Sequence, residues 1–135
     1  VDVNFASQFR VIQRIAPGLA YGSQIIVMGS MAAQRGSADP LYGATKGAMH
    51  ALAKSLAKSL APKTRVNVLS PGMVTETAMY ERARDHVLDA HLSQTPTGHF
   101  ISAGDLAQIV LDMTRPHWSQ LNGACIDLNG GQYVR

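Results

Sequence analysis

The spacing of hydrophobic side chains divides the chain into alternating helical and extended segments. Apolar residues recur at helical intervals over about 4–20 and predict an amphipathic helix there. A second helix is predicted to begin at Pro40, with Asp39 as its N-cap, and it carries alanine and leucine four residues apart. A third helix follows Ser102, which together with Asp105 resembles a capping box.

Three short segments have the pattern of β-strands. The first, residues 24–28, is apolar and β-branched on both faces, as a strand buried between two layers is, and the others cover 65–69 and 124–128. Helices and strands alternate, so the strands are joined by helical crossovers and must pair in parallel, with right-handed connections. The pattern predicts an α/β fold, a doubly wound parallel sheet of about three strands with flanking helices.

Two connecting segments lack a clear period. Residues 29–40 are small and polar and predict a loop. Residues 75–101 are mixed, because 76–92 is compatible with a helix of sparse apolar positions and 95–98 break it.

Composition narrows the class of protein. The 135 residues, 46% hydrophobic and 16% charged, suit one folded domain. The net charge of +3 comes from scattered Lys and Arg, so we expect no nucleic-acid partner. No apolar run approaches the about 20 residues of a membrane span, so we expect no membrane partner. The single Cys125 excludes an intramolecular disulfide, and the histidine spacing predicts no metal site. No secretion or lipidation signal is visible, which favours a cytoplasmic location.

The second helix carries a chemically suggestive pair. Tyr42 and Lys46 are four residues apart and therefore share one helix face. A phenol has a pKa of about 10, and a nearby cation favours its charged form, which is one way to make a general acid/base. Ser30 follows the first strand at its carboxyl end, the edge where doubly wound sheets bind ligands. The pair alone is weak evidence, because its row continues through His50 and Lys54 as a solvated helix face does.

The surroundings of this pair resemble the short-chain dehydrogenase/reductase family. The matching motifs, in chain order, are Asp2-Val3-Asn4, Gly29-Ser30, Tyr42-x-x-x-Lys46, the run from Arg65 to Ser70-Pro71-Gly72, and the run from Leu121 to Asn129-Gly130-Gly131, where the family usually ends Asp-Gly-Gly. The likeness runs the full length of the chain with every motif in the right order. It implies the carboxyl-terminal half of a Rossmann-like domain, with residues 1–135 forming a single partial domain.

The resemblance implies a role for each matching residue. Tyr42 would exchange a proton with the reacting oxygen, and Lys46 would lower the pKa of that tyrosine and hold the nicotinamide ribose. Ser30 would hydrogen-bond the substrate carbonyl or alcohol, and Asn4 would anchor a water in a proton relay. The residues expected beside the NAD or NADP cofactor are Tyr42, Lys46, Pro71, Gly72, Val74, Thr75 and Thr77. Those expected beside a partly apolar alcohol or ketone substrate are Ser30, Tyr42, Met73 and Met79, with 75–101 as the family's mobile substrate-binding segment.

Two departures from the family pattern stand out. The chain has no strand followed by T-G-x-x-x-G-x-G, the turn that holds a pyrophosphate, nor the residue that selects NAD from NADP. These two missing features, together with Val1 in place of Met as the first residue, lead us to expect a piece of a longer protein. The family usually places a threonine five residues after Pro71, where this chain has Glu76 between Thr75 and Thr77.

Taken without the family, several of these residues have simpler explanations. Asn4 is expected to cap its helix, His50 to pack or meet solvent, and Cys125 to be a small core hydrophobe. Met73 and Met79 are expected to be adaptable packing residues.

Three functions stay open from the sequence. The leading one is an NAD(P)-dependent oxidoreductase that interconverts an alcohol and a ketone by hydride transfer. The second is a non-catalytic scaffold or oligomerisation module that lacks the dinucleotide-binding half. The third is a halohydrin dehalogenase, which shares the fold but carries Arg where Lys46 stands. The apolar faces of the first two helices predict a homodimer or homotetramer, with the missing half as a further candidate partner.

Overall fold

Helices and strands alternate along the computed structural model, which describes residues 1–135. The strands are β1 (Ser23–Met28), β2 (Thr64–Pro71), β3 (Val74–Thr75), β4 (Ile101–Ser102) and β5 (Cys125–Leu128). The helices are α1 (Ser7–Ile15), α2 (Ala32–Arg35), α3 (Pro40–Ser59), α4 (Ala78–Arg82), α5 (Asp85–Ser93) and α6 (Ala103–Met113). A π-type turn (Asp2–Ala6) leads into α1, and 3-10 turns (Ala16–Gly18 and Pro116–Trp118) follow α1 and α6.

The main sheet has three strands in the order β1-β2-β5, and all of them are parallel. The central strand is β2, where Val68 lies opposite Val27 on one side and opposite Cys125 on the other. This confirms the predicted α/β class, because parallel neighbours require helical crossovers between them.

Helix α3 packs across one face of this sheet and forms the core. The residues buried there are Val27, Met49, Ala53, Ala57, Val66 and Val68. Alanines on the inner face let the helix approach the strands closely, and Met49 fills the remaining space with no exposed surface. Lys54 and Lys58 are exposed, whereas His50 in the same row is buried, so the row is only partly a solvated face.

Helix α6 lies on the side of the opposite face. Its residues line clefts together with Met28, Ile126 and Leu128, which alternate along their strands with the residues that face α3. Ser102 begins this helix, since its hydroxyl accepts from the backbone N–H of Asp105 at 3.0 Å. No helix in the structure has the length and hydropathy needed to cross a membrane.

Two expectations about the connecting segments are wrong. The expected loop at 29–40 contains the short helix α2, which begins as a turn directly after β1. The expected helix over 76–92 is two helices, because Ala83 and Arg84 are extended and end α4 before α5 begins. Both ends of this region pair in a small parallel sheet, β3 with β4, which has too few residues to leave a periodic signal.

Candidate active site

Local capping fixes where Tyr42 lies. Asp39 is extended, and its carboxylate accepts from the backbone N–H groups of Leu41 and Tyr42 at 3.0 and 3.2 Å. Pro40 occupies the first helical position, where its missing N–H costs nothing. The cap confirms the predicted start of α3 and places Tyr42 in the first turn of that helix.

A cleft of about 560 Å³ opens beside this turn. Its lining includes Ser30 and Tyr42 together with Gly72, Met73 and Met79. The four residues expected beside the substrate therefore line one space, although they come from three separate stretches of the chain. The structure joins the β1–α2 turn, α3 and the segment after β2 at the carboxyl edge of the sheet, where α/β proteins bind their ligands.

Lys46 lies one turn beyond Tyr42. Its ammonium is 5.8 Å from the centre of the Tyr42 ring and donates a hydrogen bond to the carbonyl of Met28 at 2.8 Å. Burial lowers the pKa of Lys46, because the charged form loses hydration. The bond to Met28 ties this cation to the end of β1, two residues before Ser30.

Ser30 presents a hydroxyl proton that the protein does not use. Its oxygen accepts from the backbone N–H of Ala32 at 3.2 Å, and no acceptor for its own proton is present. A serine held in this way can still donate a hydrogen bond to an oxygen bound in the cleft.

Asn4 lies apart from this group. It sits in the π-type turn before α1, which packs against α3, but it is not among the residues that line the cleft. Neither the turn nor α1 has a side-chain cap, so the expectation that Asn4 caps its helix is wrong.

Five of the seven residues expected beside the cofactor line one of two clefts. Pro71, Val74 and Thr77 line a second, apolar cleft of about 660 Å³ with residues of α6, whereas Gly72 lines the first. Thr75 and Lys46 line neither cleft. The Thr77 hydroxyl donates to the carbonyl of Val74 at 2.8 Å and accepts from the N–H of Tyr80, so it also caps α4.

Glu76, at the position of the family's threonine, is exposed and has a φ of 62°. That value lies in the left-handed region, which disfavours residues with a Cβ. The backbone therefore turns sharply between Thr75 and Thr77, and only Thr77 shares a cleft with Pro71 and Val74.

The lining of the first cleft also includes residues that sequence reasoning did not select, among them Met31, Arg35 and His91. Arg35 donates a hydrogen bond to Gln94, and His91 Nδ1 lies 2.9 Å from Gln132 Nε2, so the C-terminal end of α5 is bonded both to α2 and to the segment after β5. These partners are far apart in the chain, and no local pattern connects them.

A polar cluster forms around His50, with Gln34, Cys125 and Arg135. His50 is 8% exposed, and its Nε2 atom has no hydrogen-bond partner. Burial, and then the positive charge of Arg135, lower the pKa of His50. Burial raises the pKa of the Cys125 thiol, which packs against the core as a small hydrophobe. No three His, Cys, Asp or Glu side chains lie close enough together to hold a metal ion.

Comparison with known proteins identifies the family. A family model described as enoyl-(acyl carrier protein) reductase matches residues 1–132. A short-chain dehydrogenase/reductase, SDRA of Arabidopsis thaliana, is 31% identical over 136 residues, which cover 99% of this chain and 54% of that protein. The chain belongs to the short-chain dehydrogenase/reductase family.

Solved structures agree with this assignment. A glucose/ribitol dehydrogenase of the family from Brucella melitensis superposes with a TM-score of 0.91 at 36% identity, covering 98% of this chain and 54% of its own. A short-chain dehydrogenase from Burkholderia cenocepacia, in complex with NADP, gives 0.89 at 29% identity, with 98% and 54% covered. The chain spans about half the length of the relatives that it matches.

Proposed function

We propose that the protein containing this chain is an NAD(P)-dependent oxidoreductase that interconverts an alcohol and a ketone. The observation that carries the proposal is the meeting of Ser30 and Tyr42 in one cleft, with the Lys46 ammonium one helical turn away. The solved relative in complex with NADP supports the class of cofactor. Lys46, where a halohydrin dehalogenase carries Arg, argues against the third function considered above.

Each residue then has a task in proton transfer. Ser30 donates a hydrogen bond to the substrate oxygen and holds it near the Tyr42 phenol. In reduction, Tyr42 gives its proton to that oxygen as the carbonyl carbon becomes an alcohol carbon, and in oxidation it takes the proton back. Lys46 places a positive charge beside the phenol and favours the phenolate that forms. Asn4 has an amide free of side-chain hydrogen bonds, and its proposed task is to anchor the water that resupplies the proton.

The residues present fit the nicotinamide end of the cofactor. The second cleft is lined mostly by apolar residues, which suit the faces of a planar ring, and Thr77 is part of its lining. Pro71, Gly72, Val74 and Thr77 are proposed to hold the ring, and Tyr42 and Lys46 the ribose; Thr75 is the weaker candidate. The bound nicotinamide supplies the hydride or accepts it.

We also propose that the protein is a homodimer or homotetramer that pairs through α1 and α3. The support is apolar surface on α1, where Val11 is 58% exposed and Ile15 is 45% exposed. Light scattering at micromolar concentration tests this, and a monomer would count against it. The cytoplasmic location stays a prediction.

Replacing Tyr42 tests the function. In the complete natural polypeptide, Tyr42→Phe is expected to lower kcat for a panel of aliphatic, cyclic and aryl ketones by about 10²-fold or more, because it removes only the proton donor. Tyr21→Phe is the matched control, since Tyr21 is 76% exposed and outside the cleft. A Phe variant that retains most of its kcat would rule out the role given to Tyr42.

Titration with NADH and NADPH, followed by fluorescence, separates the enzyme from the scaffold. Saturable micromolar binding is expected of the enzyme. No binding of either nucleotide would favour the scaffold.

A further inference from the structure

The polar cluster around His50 contains a side chain, Gln34, with five hydrogen-bonding contacts, one of them with Cys125 Sγ at 3.7 Å. Gln34, in the last turn of α2, lies 3.2 Å from His50 Nδ1 and 2.6 Å from Arg135 Nη2 at one end of its amide. The other end lies 3.1 Å from the carbonyl oxygens of both Ser30 and Met31. Arg135 is held in turn by Asp127, with contacts of 2.7 and 3.3 Å.

Chemistry fixes the orientation of this amide. A guanidinium only donates, so the Gln34 atom facing Arg135 must be the oxygen. The amide nitrogen then faces the two carbonyls and donates to both of them. His50 donates from Nδ1 to the same oxygen, which leaves Nε2 as the nitrogen without a proton in the neutral ring.

The contacts of Gln34 join the two halves of the candidate site. The bonded carbonyl of Ser30 belongs to the residue whose hydroxyl lines the cleft, whereas His50 belongs to α3, two turns beyond Tyr42. The approach at this point is close. A Cβ on Gly29 would lie 2.2 Å from His50 Nε2, so the turn before Ser30 rests directly on the imidazole.

We propose that Gln34 is a positioning residue that sets Ser30 relative to Tyr42, with His50 and Arg135 as its anchors. This inference rests on the proposed function. It adds a residue from α2 that lines neither cleft and acts through the backbone of Ser30. An amide suits position 34 because it donates to the two carbonyls at one end and accepts from two donors at the other. An apolar or a charged side chain of this size does not do both.

Two variants test the proposal in the complete natural polypeptide. Gln34→Met keeps the length of the side chain and removes every hydrogen bond. Gln34→Glu keeps the acceptor for Arg135 and loses the donor to the Ser30 and Met31 carbonyls. Gln13→Met is the matched control, because Gln13 is exposed on α1.

The first measurement is amide hydrogen exchange, which needs no activity. The N–H groups of Ala33 and Arg35 bond to the carbonyls of Ser30 and Met31 at 3.0 and 2.9 Å. We expect their exchange to become about tenfold faster in both Gln34 variants, with β2 unchanged, because the turn opens locally. Unchanged exchange at Ala33 and Arg35 would overturn the proposal.

The second measurement is a double-mutant cycle with the ketone that the wild-type protein reduces fastest. Gln34→Met is expected to lower kcat by about tenfold or more, with the dissociation constant of the nucleotide unchanged, because misplacing a catalytic group reduces turnover. In a Ser30→Ala background the same change should have little further effect. Equal losses in both backgrounds would overturn the positioning role. Absence of Tyr42-dependent turnover in the wild-type protein would instead remove the proposed function, and this inference with it.

Discussion

The two faces of the sheet are covered to different degrees. On the α3 face, Met49 is fully buried, and the second half of the helix packs on the strands through Met49, Ala53 and Ala57. On the α6 face, Leu111 is 60% exposed, Met28 is 38% exposed, and clefts of about 630 and 660 Å³ separate the helix from the strands. The α3 face is therefore closed by a buried core, whereas the α6 face is open and leaves apolar surface uncovered.

This difference matches the division of tasks in the proposed reaction. Tyr42 and Lys46 belong to the helix on the closed face, and Ser30 is tied to that helix through Gln34 and His50. Proton transfer depends on fixed distances between donor and acceptor, which close packing maintains. The open face supplies apolar residues and free space, which a planar ring can fill.

The largest expected effect contrasts the two faces directly. Met49→Ala on the closed face should lower the free energy of unfolding by about 3 kcal/mol, because it leaves a cavity in a fully buried site. Leu111→Ala on the open face should change it by less than about 0.5 kcal/mol. Denaturant unfolding of both variants measures this, and equal losses would show that the two faces are equally packed.

A smaller effect is expected where the closed face meets the candidate site. Gly29→Ala would place a Cβ 2.2 Å from His50 Nε2 and 2.7 Å from a methyl group of Val68. Both neighbours are buried, so we expect a loss of about 2 kcal/mol from overpacking. Gly18→Ala is the control, since its Cβ would meet nothing within 4 Å. If Gly29→Ala leaves the free energy of unfolding unchanged, His50 and Val68 can move to accept the added methyl group.

The smallest effect is the pH dependence that His50 contributes. Its pKa is lowered in the folded protein from 6.5, so the unfolded chain binds its proton more readily. The contribution of His50 to stability is therefore complete above pH 6.5 and decreases as the pH falls below it. Unfolding of wild type and His50→Gln between about pH 5 and 8 should show a shallower dependence in the variant. Identical slopes of unfolding free energy against pH in the two proteins would mean that the His50 imidazole is solvated in the folded state.

Local sequence determined the order of the main helices and strands, the cap at Asp39 and the shared face of Tyr42 and Lys46. Each of these depends on residues within one or two helical turns, so the pattern of side chains contains the necessary information. The parallel pairing of the strands also followed, because helical crossovers permit no other arrangement.

Tertiary contacts determined the rest. The expected helix is broken at Ala83 and Arg84, although neither residue is a proline or a glycine. The strands β3 and β4, on either side of this region, pair with each other. Met79 and His91 reach the cleft only because the chain after β2 folds back over α2. Gln34 acquires its partners from α3 and from Arg135, far away in the chain. Hydrogen bonds of this kind depend on which backbone and side-chain groups packing brings together, and no local periodicity records that.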